Sequence, residues 1–175
     1  MLVCFDPGRH LGVARGPVGV IDRVVLRTHK LRDVTALGPY LSSATDFILR
    51  EIDGATACAA EIPNTAGQNH TGIRKNFALV GHIAWLCAQR GVPFREVPVH
   101  EAKLALTGRG NAQKPDMIAG AAEKFRIPAH LLDEHMADAA GVWFVFSFGA
   151  PPSKTQLAKQ AAAARREAKS KGALL

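Results

Sequence analysis

The stretch MLVCFDPGRHLGVARG, residues 1–16, is a short apolar run, a turn cluster and a second short apolar run. Two such runs about Asp-Pro-Gly predict the strands of a hairpin, since Pro and Gly supply the turn backbone and the flanking residues need a sheet to pack into. VGVIDRVVLRTHKL, residues 18–31, is rich in Val and Ile and predicts a third strand. Leu37, Leu41, Phe47, Ile48 and Ile52 then recur at mixed helical spacings, so a helix is expected over about 36–52. GATACAAEI (54–62) predicts a strand of small residues that ends near Glu61. Ile73, Phe77, Val80, Ala84 and Cys87 predict the strongest helix, over 71–90, with Gly91 as its stop. VPFREVPV (92–99) predicts another strand, HEAKLALTG (100–108) a short helix and GRGNAQK (108–114) a basic loop. PDMIAGAAEKF (115–125) predicts a helix with proline in its first turn, and a last long helix is expected over 133–148. This order predicts an α/β protein whose mixed five-stranded sheet is flanked by helices on both faces.

The 175 residues are 47% hydrophobic and 21% charged, with a mean hydropathy of +0.02. That balance suits one domain with a sizeable core, expected over 1–150, and excludes a disordered or fibrous chain. Beyond it, residues 151–175 are rich in Ala, Lys and Arg with few large apolar side chains, so a basic tail without a core of its own is expected. Lys and Arg outnumber Asp and Glu 22 to 15, a net charge of +7 and a pI near 9.7. Such a chain favours an acidic polymer as partner, nucleic acid first. Cys4, Cys58 and Cys87 lack CxxC spacing and sit in apolar surroundings, so they read as core thiols in a reducing cytoplasm rather than zinc ligands or a disulfide framework. The N-terminal apolar run reaches Asp6 too soon for a signal peptide or a membrane span, and a cytosolic protein with no membrane partner is expected.

Three carboxylates and a histidine carry the chemical signal. Asp6 closes the first strand, where it is either a plain turn aspartate or a group overlooking the edge of a sheet where ligand sites form. Glu61 closes the small-residue strand, where it is either solvated at a frayed end or held by a cation, since an unpaired carboxylate is costly in apolar surroundings. His135 and Asp138 share one face at the head of the last helix, whose later turns are apolar. They make either a local ion pair, worth about 0.5 kcal/mol or less, or aim together at a metal. Converging on one sheet edge, the four are the inventory of a two-metal phosphodiesterase, in which hard divalent cations take oxygen ligands, activate a water and stabilise the leaving oxygen.

LVCFDPGRHLGVA (2–14), AAEIP (59–63), VPVHEAKLALTGRGNAQK (97–114) and HMADAAGVW (135–143), in this order and with similar intervals, resemble the RuvC family of Holliday-junction resolvases, members of the RNase H-like superfamily. The likeness runs from about residue 2 to 148 and omits the tail. It implies an RNase H-like fold and an endonuclease that uses two magnesium or manganese ions per active site and acts as a homodimer on four-way DNA junctions. By the same resemblance Asp6, Glu61 and Asp138 match metal-binding carboxylates and His135 takes the fourth catalytic position. Lys103 and Lys114 match basic residues that lie near the DNA backbone at the active site. With Arg109 they are expected to contact phosphates and stabilise charge in the transition state. Arg74 and Lys75, on the helix after the Glu61 loop, are further DNA contacts or else a solvated helix face. EIPNTAGQNH (61–70) departs from the family in lacking the aromatic residue that wedges the junction open. The nearest alternative is therefore a branched-DNA or flap nuclease of relaxed specificity. A non-catalytic DNA-binding module is the next. A nucleotide-binding domain of the actin or sugar-kinase type needs two related domains, for which 175 residues are too few.

Overall fold

The structure, a computed structural model, describes residues 1–63 and 70–149. The loop segment 64–69, where the missing wedge aromatic falls, and the basic tail over 151–175 lie outside the described residues. Strands β1 (Leu2–Asp6), β2 (His10–Gly16), β3 (Val25–Lys30), β4 (Ala57–Ile62) and β5 (Phe94–Pro98) form one sheet in the order β3-β2-β1-β4-β5. β2 runs antiparallel to both β1 and β3, while β4 lies parallel to β1 and β5 parallel to β4. Helices α1 (Leu37–Ile52) and α2 (His70–Gln89) contribute to one core, and α3 (Val99–Thr107), α4 (Lys114–Phe125) and α5 (Glu134–Phe148) to the other.

The sheet separates those two cores by the period-2 alternation of its strands. Val3 and Phe5 of β1 with Cys58 and Ala60 of β4 pack toward Tyr40, Ile48 and Ile83. Leu2, Cys4 and Ala59 pack toward Met117, Ala140 and Trp143. All three cysteines are buried thiols, free of disulfides.

The expected third strand is a correction. Residues before Val25 do not pair: Gly19 takes φ +75°, Val20 N–H donates to Pro17 O at 3.2 Å, and Ile21–Arg23 is a single 3-10 turn. The chain must reverse to bring Val25 opposite Arg15, and Pro17 with Gly19 makes that reversal, so β-branched composition overstated the strand.

Helix α5 approaches the sheet unusually closely. A Cβ added at Gly12 would stand 2.0 Å from the carbonyl oxygen of His135, so the absence of a side chain on β2 lets the first turn of α5 rest on strand backbone. The N-cap of α5, Asp133, fixes that seat. Its Oδ1 accepts from Met136 N–H and from the Thr28 hydroxyl of β3, each at 2.8 Å. Asp133→Ala removes both bonds, and a loss of about 1 to 2 kcal/mol is expected in urea denaturation. Thr28→Val, which removes only the hydroxyl bond, should lose only the smaller part of that amount; equal effects would mean that the cap contributes nothing.

Candidate active site

Register and alternation together bring the acidic groups to one place. Phe5 is level with Ala60 in the parallel pair, so Asp6 and Glu61 are the next residues along adjacent strands. Two residues beyond Cys4 and Ala59 respectively, both side chains fall on the face that α5 covers. Gly12 is the antiparallel partner of Asp6, and over it the first turn of α5 delivers His135, with Asp138 one turn on. A pocket of about 280 Å³ results, lined by Asp6, Glu61, His135, Asp138, Lys103 and Lys114 among others.

His135 makes its shortest polar contact to β1 rather than to Asp138 on its own helix. Its Nδ1 lies 2.9 Å from Asp6 Oδ2, and its Nε2 lies 3.5 Å from Glu134 Oε1. As an acceptor at the shorter distance, the Asp6 carboxylate favours the tautomer of the neutral ring that carries its proton on Nδ1. The hydrogen bond to Asp6 raises the His135 pKa above its ordinary value against the opposing effect of burial. The His10 ring lies beside it, centroids 5.3 Å apart.

The carboxylates are held protonated longer than usual. Burial, then the charge of Asp6, pushes Asp138 up to about 7. Burial and the charges of Asp6 and Asp138 raise Glu61 well above the carboxylate range, and burial raises Asp6 despite His135. Lys103 opposes the shifts at Glu61 and Asp138. Its ammonium donates to Ala112 O at 2.8 Å, which pins it to the pocket wall. Glu61 is only 9% exposed, and its Oε2 has no hydrogen-bond partner among the described residues.

These are the energetic marks of a cation site: repelling, desolvated carboxylates and an orphaned anionic oxygen, all of which a divalent ion would relieve. The donors are hard oxygens with one imidazole, which suits magnesium or manganese. Among the described residues no three His, Cys, Asp or Glu side chains are drawn close enough to hold an ion together.

Of the other expected residues, Lys114 lines the pocket but is paired with Glu134, an acid that sequence reasoning passed over. Arg109 lies outside the pocket, 2.7 Å from Asp116 and 61% exposed, in the turn before α4. Lys75 donates to Val34 O at 2.6 Å and lies over the Tyr40 ring, while Arg74 lines a neighbouring depression. Sequence reasoning also missed Arg9 and Arg32, which line a cleft beside the pocket together with Lys75 and with Asp33, the ion-pair partner of Arg9 at 3.0 Å. Their signal was the hairpin itself: Leu31 N–H donates to Arg9 O at 2.8 Å, so the strand ends that carry them are neighbours.

No family model matches the sequence, and no curated protein does either. Solved structures do match. Thermus thermophilus RuvC is similar at 21% identity with a TM-score of 0.66, covering 85% of this chain and 96% of that one. T. thermophilus RuvC in complex with Holliday junction substrate is similar at 20% identity with a TM-score of 0.70, covering 84% of this chain and 92% of that one. The chain thus has the RuvC fold, an RNase H-like mixed sheet of five strands with helices on both faces. No helix among the described residues is long and apolar enough to cross a membrane.

Proposed function

We propose that this chain is a divalent-metal-dependent endonuclease of branched DNA, and first of all a resolvase that nicks four-way junctions in pairs. The observation that carries the reading is the Asp6, Glu61 and Asp138 set around one pocket, with Glu61 buried and one of its oxygens unpartnered among the described residues, at the strand ends of a fold shared with a protein solved on a Holliday junction. Asp6, Glu61 and Asp138 would hold magnesium or manganese, two ions in the family arrangement, with His135 beside them. When bound, these ions would supply Lewis-acid stabilisation of phosphate charge and make water a better nucleophile at neutral pH.

The chain's own residues supply the rest. Asp6 keeps the proton of His135 on Nδ1, so Nε2 is the atom that takes a proton from the attacking water. Lys103, fixed by Ala112, balances the negative charge drawn into the pocket. Lys114 is held at the mouth by Glu134 and turns to a phosphate when DNA displaces that carboxylate. Arg9, Arg32, Lys75 and Arg74 line the adjoining clefts, where backbone phosphates would lie. Arg109 acts outside the pocket, on the DNA beyond the reacting phosphate.

Two nicks in opposed strands require two such pockets, so the reading includes a homodimer working on cytoplasmic DNA. Phe77 and Trp85, 44% and 55% exposed on one face of α2, provide an apolar stripe for it. Trp85→Lys is expected to shift sedimentation from dimer to monomer; a parent protein that is already monomeric at micromolar concentration would refute the dimer.

The deciding experiment is cleavage of a labelled four-way junction and its matching linear duplex with magnesium, with EDTA, and by Asp6→Asn. Paired symmetrical nicks on the junction alone, lost in EDTA and in the variant, are expected. Binding without nicks would leave a DNA-binding module. The missing aromatic in EIPNTAGQNH favours a second reading, a nuclease indifferent to branch type. Equal cleavage of four-way, three-way and flap substrates would establish it.

Protonation of Nε2 removes the base. Because Asp6 raises the His135 pKa, the acid limb of the rate profile is expected above pH 6.5, activity falling as pH drops through it. A profile that stays flat down to about pH 5 would remove His135 from that role.

A further inference from the structure

The carboxylate pocket is flanked by two clefts of opposite character. One shares Asn76 with it and is lined by Arg9, Arg32, Lys75 and Asp33; Asp33 pairs with Arg9 at 3.0 Å and Lys75 donates to Val34 O, and three cations thus face one carboxylate there. The other shares Pro63, Val99 and Lys103 with it, encloses about 480 Å³, and draws apolar lining from Ile62 and Pro98 and polar lining from His100 and Asn111. Its single lysine is already engaged, since Lys103 donates to Ala112 O and faces the carboxylates of the first pocket. Gln113, which also lines it, is used as well: its side chain caps α4 by accepting from the Asp116 backbone and donates to Asn111 O at 3.1 Å. The His100 ring and the Asn111 carboxamide make no hydrogen bond or ion pair among the described residues.

We infer that this second cleft receives the nucleobase adjoining the reacting phosphate, and that His100 and Asn111 read it, so that the cleft decides which sequence is cut at the branch point. The inference rests on the nuclease reading of the carboxylate pocket. A DNA strand with its scissile phosphate in that pocket continues in both directions, and the phosphates on one side belong in the cleft where Arg9, Arg32 and Lys75 outnumber Asp33. A cleft without a spare cation gives a phosphate nothing. It suits a planar group with apolar faces and a hydrogen-bonding edge, which is what an unstacked base presents. Proline and valine side chains meet the faces. A carboxamide offers an acceptor and two donors to the edge, the complement used in reading adenine. Gly110 packs on His100, its nearest approach the His100 carbonyl at 3.5 Å from a Cβ built there, so the loop that carries Asn111 is seated on α3 beside the cleft.

The test is a panel of synthetic four-way junctions identical except at the base pairs of the branch point, each cut by the parent protein, Asn111→Ala, Asn111→Asp and His100→Ala. The readout is the ratio of fastest to slowest sequence within each protein, from which overall rate and folded fraction cancel. The parent is expected to discriminate about tenfold or more, and Asn111→Ala to within about threefold. Asn111→Asp, which keeps the shape but loses the donors, should move the preference to another base. In parallel, 2-aminopurine beside the scissile phosphate should brighten when the parent protein binds the junction in EDTA, and less so for His100→Ala. A parent that cuts all sequences alike, or ratios unchanged in all three variants, overturns the inference and leaves the nuclease reading standing. No metal-dependent cleavage of any junction overturns both.

Discussion

In EDTA at about pH 8, Glu61→Gln is expected to melt roughly 2–6 °C above the parent protein, the shift that about 1 to 2 kcal/mol gives a domain of this size. Its metal-dependent cleavage should meanwhile fall by about a thousandfold. Glu61 is 9% exposed, faces the charges of Asp6 and Asp138, and has an oxygen that nothing among the described residues satisfies. The amide removes the charge and keeps the shape. The pH dependence follows from the sign of the shift. A carboxyl whose folded pKa stands above its unfolded value keeps its proton longer when folded, so stability is lost as pH rises through that window and stays lost above it. The advantage of Gln should therefore vanish near pH 4 and grow toward pH 8. For Asp138→Asn, whose carboxyl is pushed up to about 7, growth should level off near that pH. Magnesium should reverse the order by stabilising the parent protein and not the variant. Coincident melting in EDTA across that range would remove the idea that the pocket stores electrostatic strain for a cation.

Gly12→Ala is expected to be among the most damaging single methyl additions in this fold. The new Cβ would lie 2.0 Å from His135 O and 2.6 Å from its carbonyl carbon, and a backbone cannot rotate away as a side-chain tip does. The first turn of α5 must lift. The cost is expected to be at least about 3 kcal/mol, with cleavage falling by a hundredfold or more because the Nδ1 to Oδ2 bond and the spacing of Asp138 from Glu61 move with that turn. Gly38→Ala in α1 is the control: nothing stands within 4 Å of a Cβ there, so stability should change by no more than about 1 kcal/mol. Denaturant midpoints for both variants check this. A Gly12→Ala protein as stable and as active as the parent would show that α5 does not depend on the close seat.

Much of the architecture was legible because its determinants are local. The spacing of Ile73, Phe77, Val80 and Cys87 predicts α2, and the alternation about Cys4 and Ala59 is enough to send Asp6 and Glu61 to one face. The segment before Val25 was misread because Val and Ile report a preference for extended backbone and say nothing of where a chain must turn. The site was legible as an inventory, not as a geometry. His135 and Asp138 could be paired on their helix, but the partner of His135 is Asp6, 129 residues away, and depends on Gly12. Likewise Lys114 looks like a free cation until α5 brings Glu134 against it, and Arg109 is held by Asp116 outside the pocket.

The seat of α5 on bare strand at Gly12 has one more consequence. A helix that rests on main chain takes its height from peptide geometry, which every amino acid shares, and not from the bulk of whichever side chains fill the apolar layers. Those layers are free to exchange Val for Ile or Leu for Met over long descent while the distance from strand end to helix head stays constant. Shared architecture at 21% identity is the outcome such a contact permits, with changes absorbed by the interior while the backbone arrangement is kept.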